Sequence, residues 1–156
     1  MGSVSSLLNA AVPTDKTCKL RAGRAGREAG TDMRALVLDD SRAMRMILTR
    51  ILGEVGFEVT EACDGAEGIE ALRRGGPLPD LALIDWNMPV MDGLTFVNEV
   101  RKVDAWRGIT LMMVTTESEQ SQIVRALAAG AHEYVIKPFT AEAILDKLSL
   151  LGLASV

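Results

Sequence analysis

The sequence of 156 residues predicts an α/β fold, a doubly wound parallel sheet of five strands, on three observations. From Met33 onward, short apolar runs alternate with stretches whose apolar residues recur at helical spacing. Several runs are apolar throughout, the pattern of strands buried on both faces. Polar residues suited to chemistry follow four of the five runs, at the strand ends where open α/β sheets bind ligands.

The first strand is Ala35 to Leu38 (ALVL). The helix after it places Met44, Ile47, Leu48, Ile51 and Val55 on one stripe and Arg42, Arg45, Arg50 and Glu54 off it. Gly56 closes that helix. The second strand, Phe57 to Ala62, alternates more and is expected at a sheet edge. Asp64 and Glu67 stand at capping-box spacing and open the second helix, which GGPLP (Gly75 to Pro79) breaks. Leu81 to Ile84 (LALI) is the third strand, and a helix from about Asp92 to Lys102 turns Leu94, Val97 and Val100 inward. Ile109 to Val114 forms the fourth strand, and Ser118 to Ala129 the fourth helix, ended by Gly130. Tyr134 to Ile136 is the fifth strand. A last helix, about Thr140 to Leu151, buries Ile144, Leu145, Leu148 and Leu151. Right-handed crossovers then place the first and last helices on one face and the other three on the opposite face.

Residues 1–32 differ in kind. They are rich in Ser, Ala, Gly and Arg, carry five basic and three acidic residues, and show no sustained apolar periodicity. They are read as a disordered or weakly structured extension, with Met33 as the simplest start and residues 33–152 as the folded domain. Leu7 and Leu8 are too brief an apolar patch for a signal-peptide core.

Composition narrows the function. A net charge of −4 and a pI near 5.1 argue against general affinity for nucleic acid or anionic lipid. No apolar run approaches a membrane span. Cys18 and Cys63 are too few and too far apart for a disulfide framework or a metal site, so a reducing cytoplasmic setting is expected. His132, the lone histidine, is read as a surface residue.

The candidate chemistry lies at the strand ends. Asp39 and Asp40 follow the first strand, Asp85 the third, Thr115 the fourth and Lys137 the fifth. Singly, each has a bland reading: an aspartate capping the helix near Ser41, a strand-end threonine, a solvated lysine. Their recurrence at matching ends of successive parallel strands is the signal. Three converging carboxylates raise one another's pKa values unless cations relieve them. A set made of oxygen donors suits a hard ion such as Mg²⁺. An ionised carboxylate beside such an ion, a lysine and a hydroxyl is a receiver for a phosphoryl group, with Asp85 as nucleophile.

The segments LDDS (Leu38 to Ser41), DWNMPVMDG (Asp85 to Gly93), MVTTE (Met113 to Glu117) and YVIKPF (Tyr134 to Phe139) make the chain from Met33 to about Leu151 resemble a response-regulator receiver domain. The similarity is greatest to the single-domain, CheY-like chemotaxis type. That resemblance implies the flavodoxin-like strand order 2-1-3-4-5 and makes Asp85 the phosphoacceptor. It gives Mg²⁺ the ligands Asp40, Asp85 and the Asn87 backbone carbonyl, with Asp39 assisting through water. It implies that Thr115 and Lys137 sense the phosphoryl group and that Lys137–Pro138 is a cis peptide. Thr115 and Tyr134 would act as the switch, and Asn87 and Glu117 would tune dephosphorylation. The surface of the fourth helix, fifth strand and fifth helix would then gain or lose a partner.

The implied partners are a CheA-like sensor histidine kinase or a histidine phosphotransferase, and a phosphorylation-dependent protein target such as the flagellar motor switch. The implied state is a cytoplasmic monomer that binds neither nucleic acid nor membrane and acts on no substrate beyond its own phosphorylation and dephosphorylation. Glu119 and Gln120 open the fourth helix where the flagellar chemotaxis protein carries lysines, while Lys147 matches. The alternative reading is a phosphorelay intermediate or phosphate sink. An aspartyl-phosphate hydrolase would place a second acid where Asn87 stands. A flavin site would need a Ser/Thr/Gly-rich loop in place of the acidic LDDSRAM.

Overall fold

The computed structural model describes residues 33–154. The extension assigned to residues 1–32 lies outside the described residues. Five strands, β1 (Arg34–Leu38), β2 (Glu58–Ala62), β3 (Leu81–Ile84), β4 (Thr110–Thr115) and β5 (Glu133–Ile136), form one parallel sheet in the order β2-β1-β3-β4-β5. This is the expected order, with β2 at the edge its alternation predicts. The connecting helices are α1 (Arg42–Glu54), α2 (Gly65–Arg73), α3 (Gly93–Arg101), α4 (Gln120–Ala129) and α5 (Ala141–Leu150), with a short 3₁₀ turn at Asp104–Trp106.

The sheet separates two cores. On one side Leu48, Ile51 and Leu52 of α1 and Ile144 and Leu148 of α5 pack against Val37, Leu83 and Val114. On the other, Ile69 and Leu72 of α2, Phe96, Val97 and Val100 of α3 and Ala126 of α4 pack against Leu38, Ile84 and Met113. The predicted division of helices between the faces holds.

Local chemistry explains the helix starts. Ser41, Asp64, Asp92 and Thr140 each accept a hydrogen bond from the backbone N–H three residues on. Glu67 closes the box at α2 by accepting from the Cys63 N–H at 2.8 Å. Helix α4 differs: its N-cap, Glu119, makes no side-chain cap bond, and Ala126 is its one buried residue.

Some details depart from expectation. In α1, Ile47 is exposed, whereas Leu52 and Arg45 are buried, so the inward stripe is rotated from the predicted one. Phe96, unassigned in the sequence reading, is a fully buried residue of α3. Thr115 is the last residue of β4 and does not follow it. Cys63 is disulfide-bonded, contrary to the expectation of reduced thiols, while Cys18 lies outside the described residues.

Candidate functional site

Strand register brings the predicted residues together. Leu38 pairs with Ile84, so Asp39 and Asp85 leave their strands side by side. Main-chain bonds continue one residue past the strands: the Asp39 N–H donates to Ala62 O, the Asp85 N–H to Leu38 O and the Lys137 N–H to Thr115 O. The backbones of Asp39, Asp85 and Lys137 are therefore held by the sheet itself.

Asp39 is 1% exposed, Asp85 6% and Thr115 0%, whereas Asp40 faces solvent. Asp39, Asp40 and Asp85 each present an oxygen, all within 4.8 Å of one another. Lys137 Nζ lies 2.8 Å from Asp39 Oδ2 and 3.6 Å from Asp85 Oδ2. Burial, and then the neighbouring Asp39 charge, raise the Asp85 carboxyl above the ordinary carboxylate value. Bonding to Thr115, the Lys137 charge and the Trp86 backbone oppose that rise. Among the described residues one ammonium thus reaches two of three gathered carboxylates, which leaves the cluster short of positive charge. Convergent hard oxygens, two of them from buried residues, fit a divalent ion such as Mg²⁺.

The loops add a rim. Asn87 Nδ2 donates to Glu117 Oε2 at 2.9 Å, joining the β3–α3 and β4–α4 loops. The Tyr134 hydroxyl donates to the Glu117 carbonyl at 2.8 Å, which ties β5 to the same loop. Burial and the nearby Glu117 and Asp85 charges raise the Tyr134 phenol. The Lys137–Pro138 peptide is cis, as the resemblance implied. Gly93 lets the turn into α3 fold against the Asp85–Trp86 main chain. A Cβ there would collide with the Asp85 carbonyl and lie 2.9 Å from the Trp86 Cα.

Several contacts had no sequence forecast. Arg45, assigned to the solvent side of α1, is 4% exposed. It donates to the Asp39 carbonyl at 2.8 Å and to Glu61 at 3.1 Å. Its position three before Leu48 and seven before Leu52 was the available signal. On the other side of the site, the Arg125 guanidinium lies 5.9 Å from the centroid of the Trp86 ring. His132 is exposed as expected, but its Nδ1 accepts from the Leu111 N–H at 3.1 Å.

A family profile described as the response regulator receiver domain matches residues 35–149. The chain is 39% identical over 120 residues to the chemotaxis protein CheY1 of Helicobacter pylori, covering 76% of this chain and 96% of that one. It is 36% identical over 116 residues to the sensor histidine kinase CheAY of the same organism, covering 74% of this chain and 14% of that protein. Among solved structures, the chemotaxis response regulator CheY4 of Vibrio cholerae is similar, with a TM-score of 0.72 at 32% identity. That match covers 78% of this chain and 99% of the other.

Proposed function

The chain belongs to the response regulator receiver domain family, and we propose that it is a chemotaxis-type receiver that takes a phosphoryl group onto Asp85 and displays the result on its α4–β5–α5 surface. It is a two-component signalling protein. The observation that carries the reading is the set of three carboxylates gathered within 4.8 Å, with Lys137 reaching two of them.

In this reading Asp85 is the nucleophile. One of its oxygens bonds to phosphorus as the bond from phosphorus to the donor's imidazole nitrogen breaks, and that imidazole takes a proton from solvent. Asp40, Asp85 and the Asn87 carbonyl would hold Mg²⁺, with Asp39 assisting through water. When bound, the ion neutralises charge on the phosphoryl oxygens. Lys137 has its ammonium against Asp39 and Asp85 already and pairs with the incoming charge. Thr115, at the end of β4, offers its hydroxyl. The Tyr134 hydroxyl on Glu117 O couples any displacement of the β4–α4 loop to β5. Asn87 and Glu117, bonded to each other, control how water reaches the phosphoryl group.

The family relationship supports a histidine kinase as phosphoryl donor, and the likeness to chemotaxis regulators supports a protein target in that system. On the output surface, Lys147 is paired with Glu133 at 2.8 Å, and Val124, Leu127 and Ile136 are exposed. A partner there would meet an apolar, weakly charged face.

The test is exposure to beryllofluoride with Mg²⁺, read by amide chemical-shift changes. Shifts are expected around Asp85, Thr115, Tyr134 and along α4. Asp85→Asn should abolish them, and an Asp85→Asn protein responding like the unaltered one would overturn the assignment.

A further inference from the structure

Asp39 is fixed through every polar group it owns. Its N–H bonds to Ala62 O, its carboxylate to the Ser41 N–H and Lys137 Nζ, and its carbonyl to Arg45 Nη1. The last contact stands out because it requires a buried guanidinium, an expensive group to place in a protein interior. That guanidinium is itself oriented from behind: Nε bonds to Glu61 Oε1 at 3.1 Å, and Glu61 Oε2 accepts from Thr49 Oγ1 at 2.9 Å. The chain Thr49–Glu61–Arg45–Asp39 thus starts on α1, passes through Glu61 on the edge strand β2, returns to α1 at Arg45 and ends at the turn that presents Asp40.

We infer that Arg45 is a positioning residue for divalent-cation binding at the Asp39–Asp40–Asp85 cluster, through its bond to the Asp39 carbonyl. This rests on the reading of that cluster as an Mg²⁺ site. A charge argument predicts the opposite sign. Arg45 carries a positive charge behind an acidic cluster, so removing it would strengthen cation binding if electrostatics alone decided. Positioning predicts weaker binding, because an untethered Asp39–Asp40 turn no longer holds its carboxylates convergent on Asp85. Outer-shell partners of metal ligands typically matter by about tenfold or more in affinity.

The experiment titrates the full chain with Mg²⁺, read by tryptophan fluorescence because Trp86 follows Asp85 directly, alongside thermal melts without Mg²⁺. Arg45→Met is expected to bind Mg²⁺ about tenfold more weakly. Arg45→Lys keeps the charge but replaces the two planar donors Nε and Nη1, which hold Glu61 and Asp39, with a single nitrogen. It is expected to fall between Arg45→Met and the unaltered protein, and it supplies the measurement if Arg45→Met does not fold. Unchanged or tighter binding in a folded Arg45→Met overturns the inference alone. So does an Arg45→Lys protein with a lowered melting point but unaltered Mg²⁺ affinity. No Mg²⁺ binding by the unaltered chain overturns the metal-site reading and this inference with it.

Discussion

The two ends of the sheet handle charge in opposite ways. At the amino end, Asp80 accepts from the Arg34 N–H, and Glu58 pairs with the Arg34 guanidinium at 3.2 Å. At the carboxyl end, three carboxylates converge and Lys137 reaches only two of them. Both ends belong to the same strands and the same cores. At the amino end each of these acids meets a different donor of Arg34, as on a purely structural surface. The carboxyl end gathers unrelieved charge, in the manner of a site shaped for a ligand that will complete it.

The strongest way to break this contrast is Lys137→Met. It leaves Asp39, 1% exposed, without its ammonium, and stability in urea should fall by about 3 kcal/mol. The matched change at the amino end, Glu58→Gln, removes a partly exposed pair and should lower stability by less than about 1 kcal/mol. Equal effects at the two ends would show that the asymmetry has no energetic meaning.

Next in size is Gly93→Ala. The added methyl meets main chain at Asp85 and Trp86 rather than a flexible side-chain tip. A loss of about 2 kcal/mol is expected, together with weaker Mg²⁺ binding, both measurable on one purified variant.

Asp85→Asn sharpens the comparison from the other side. Burial and Asp39 hold the Asp85 carboxyl above its ordinary value, so the folded state binds this proton more tightly than the unfolded state does. Its contribution is therefore favourable below the ordinary value of 3.8 and is lost as pH rises through the elevated folded-state value. At neutral pH and without Mg²⁺, the amide should raise stability by about 1 kcal/mol. That gain should shrink on acidification and vanish below the ordinary value. A pH series of urea midpoints checks it, and an amide variant less stable at pH 7 would contradict the account.

The smallest effect belongs to the amino end and has the opposite slope. Burial first, and then Arg101, lower the His132 imidazole below 6.5. The folded state resists protonation there, so stability should be lost as pH falls from above 6.5 through the lowered value. His132→Gln should flatten that part of the profile. Because the ring is largely exposed, the change should be slight.

The fold was legible because burial on both faces leaves continuous apolar runs, as in Leu81 to Ile84, that few other architectures need. The site's membership was legible for a related reason: strand ends in register must lie side by side. Arg45 was missed because a helical wheel sends every charge outward, and only its place on the Leu48–Leu52 side argued otherwise. The Asn87–Glu117 bond joins two loops 30 residues apart, and no local pattern encodes such a pairing. Ile47 was placed inward and Leu52 was not assigned, although Leu52 is the buried one, because both lie near the edge of the same stripe.

Helix α4 has a single buried residue and no side-chain cap bond. With one alanine as its deep anchor, it is held mainly by partly covered side chains and by the Arg125 contact with Trp86. Such an element opens at a small fraction of the free energy needed to unfold the whole domain. Its amides should exchange with deuterium well before those of α3, where Phe96, Val97 and Val100 are completely enclosed. The part of the molecule next to the rim would then be its softest, able to sample a second arrangement many times before the rest of the sheet loosens once.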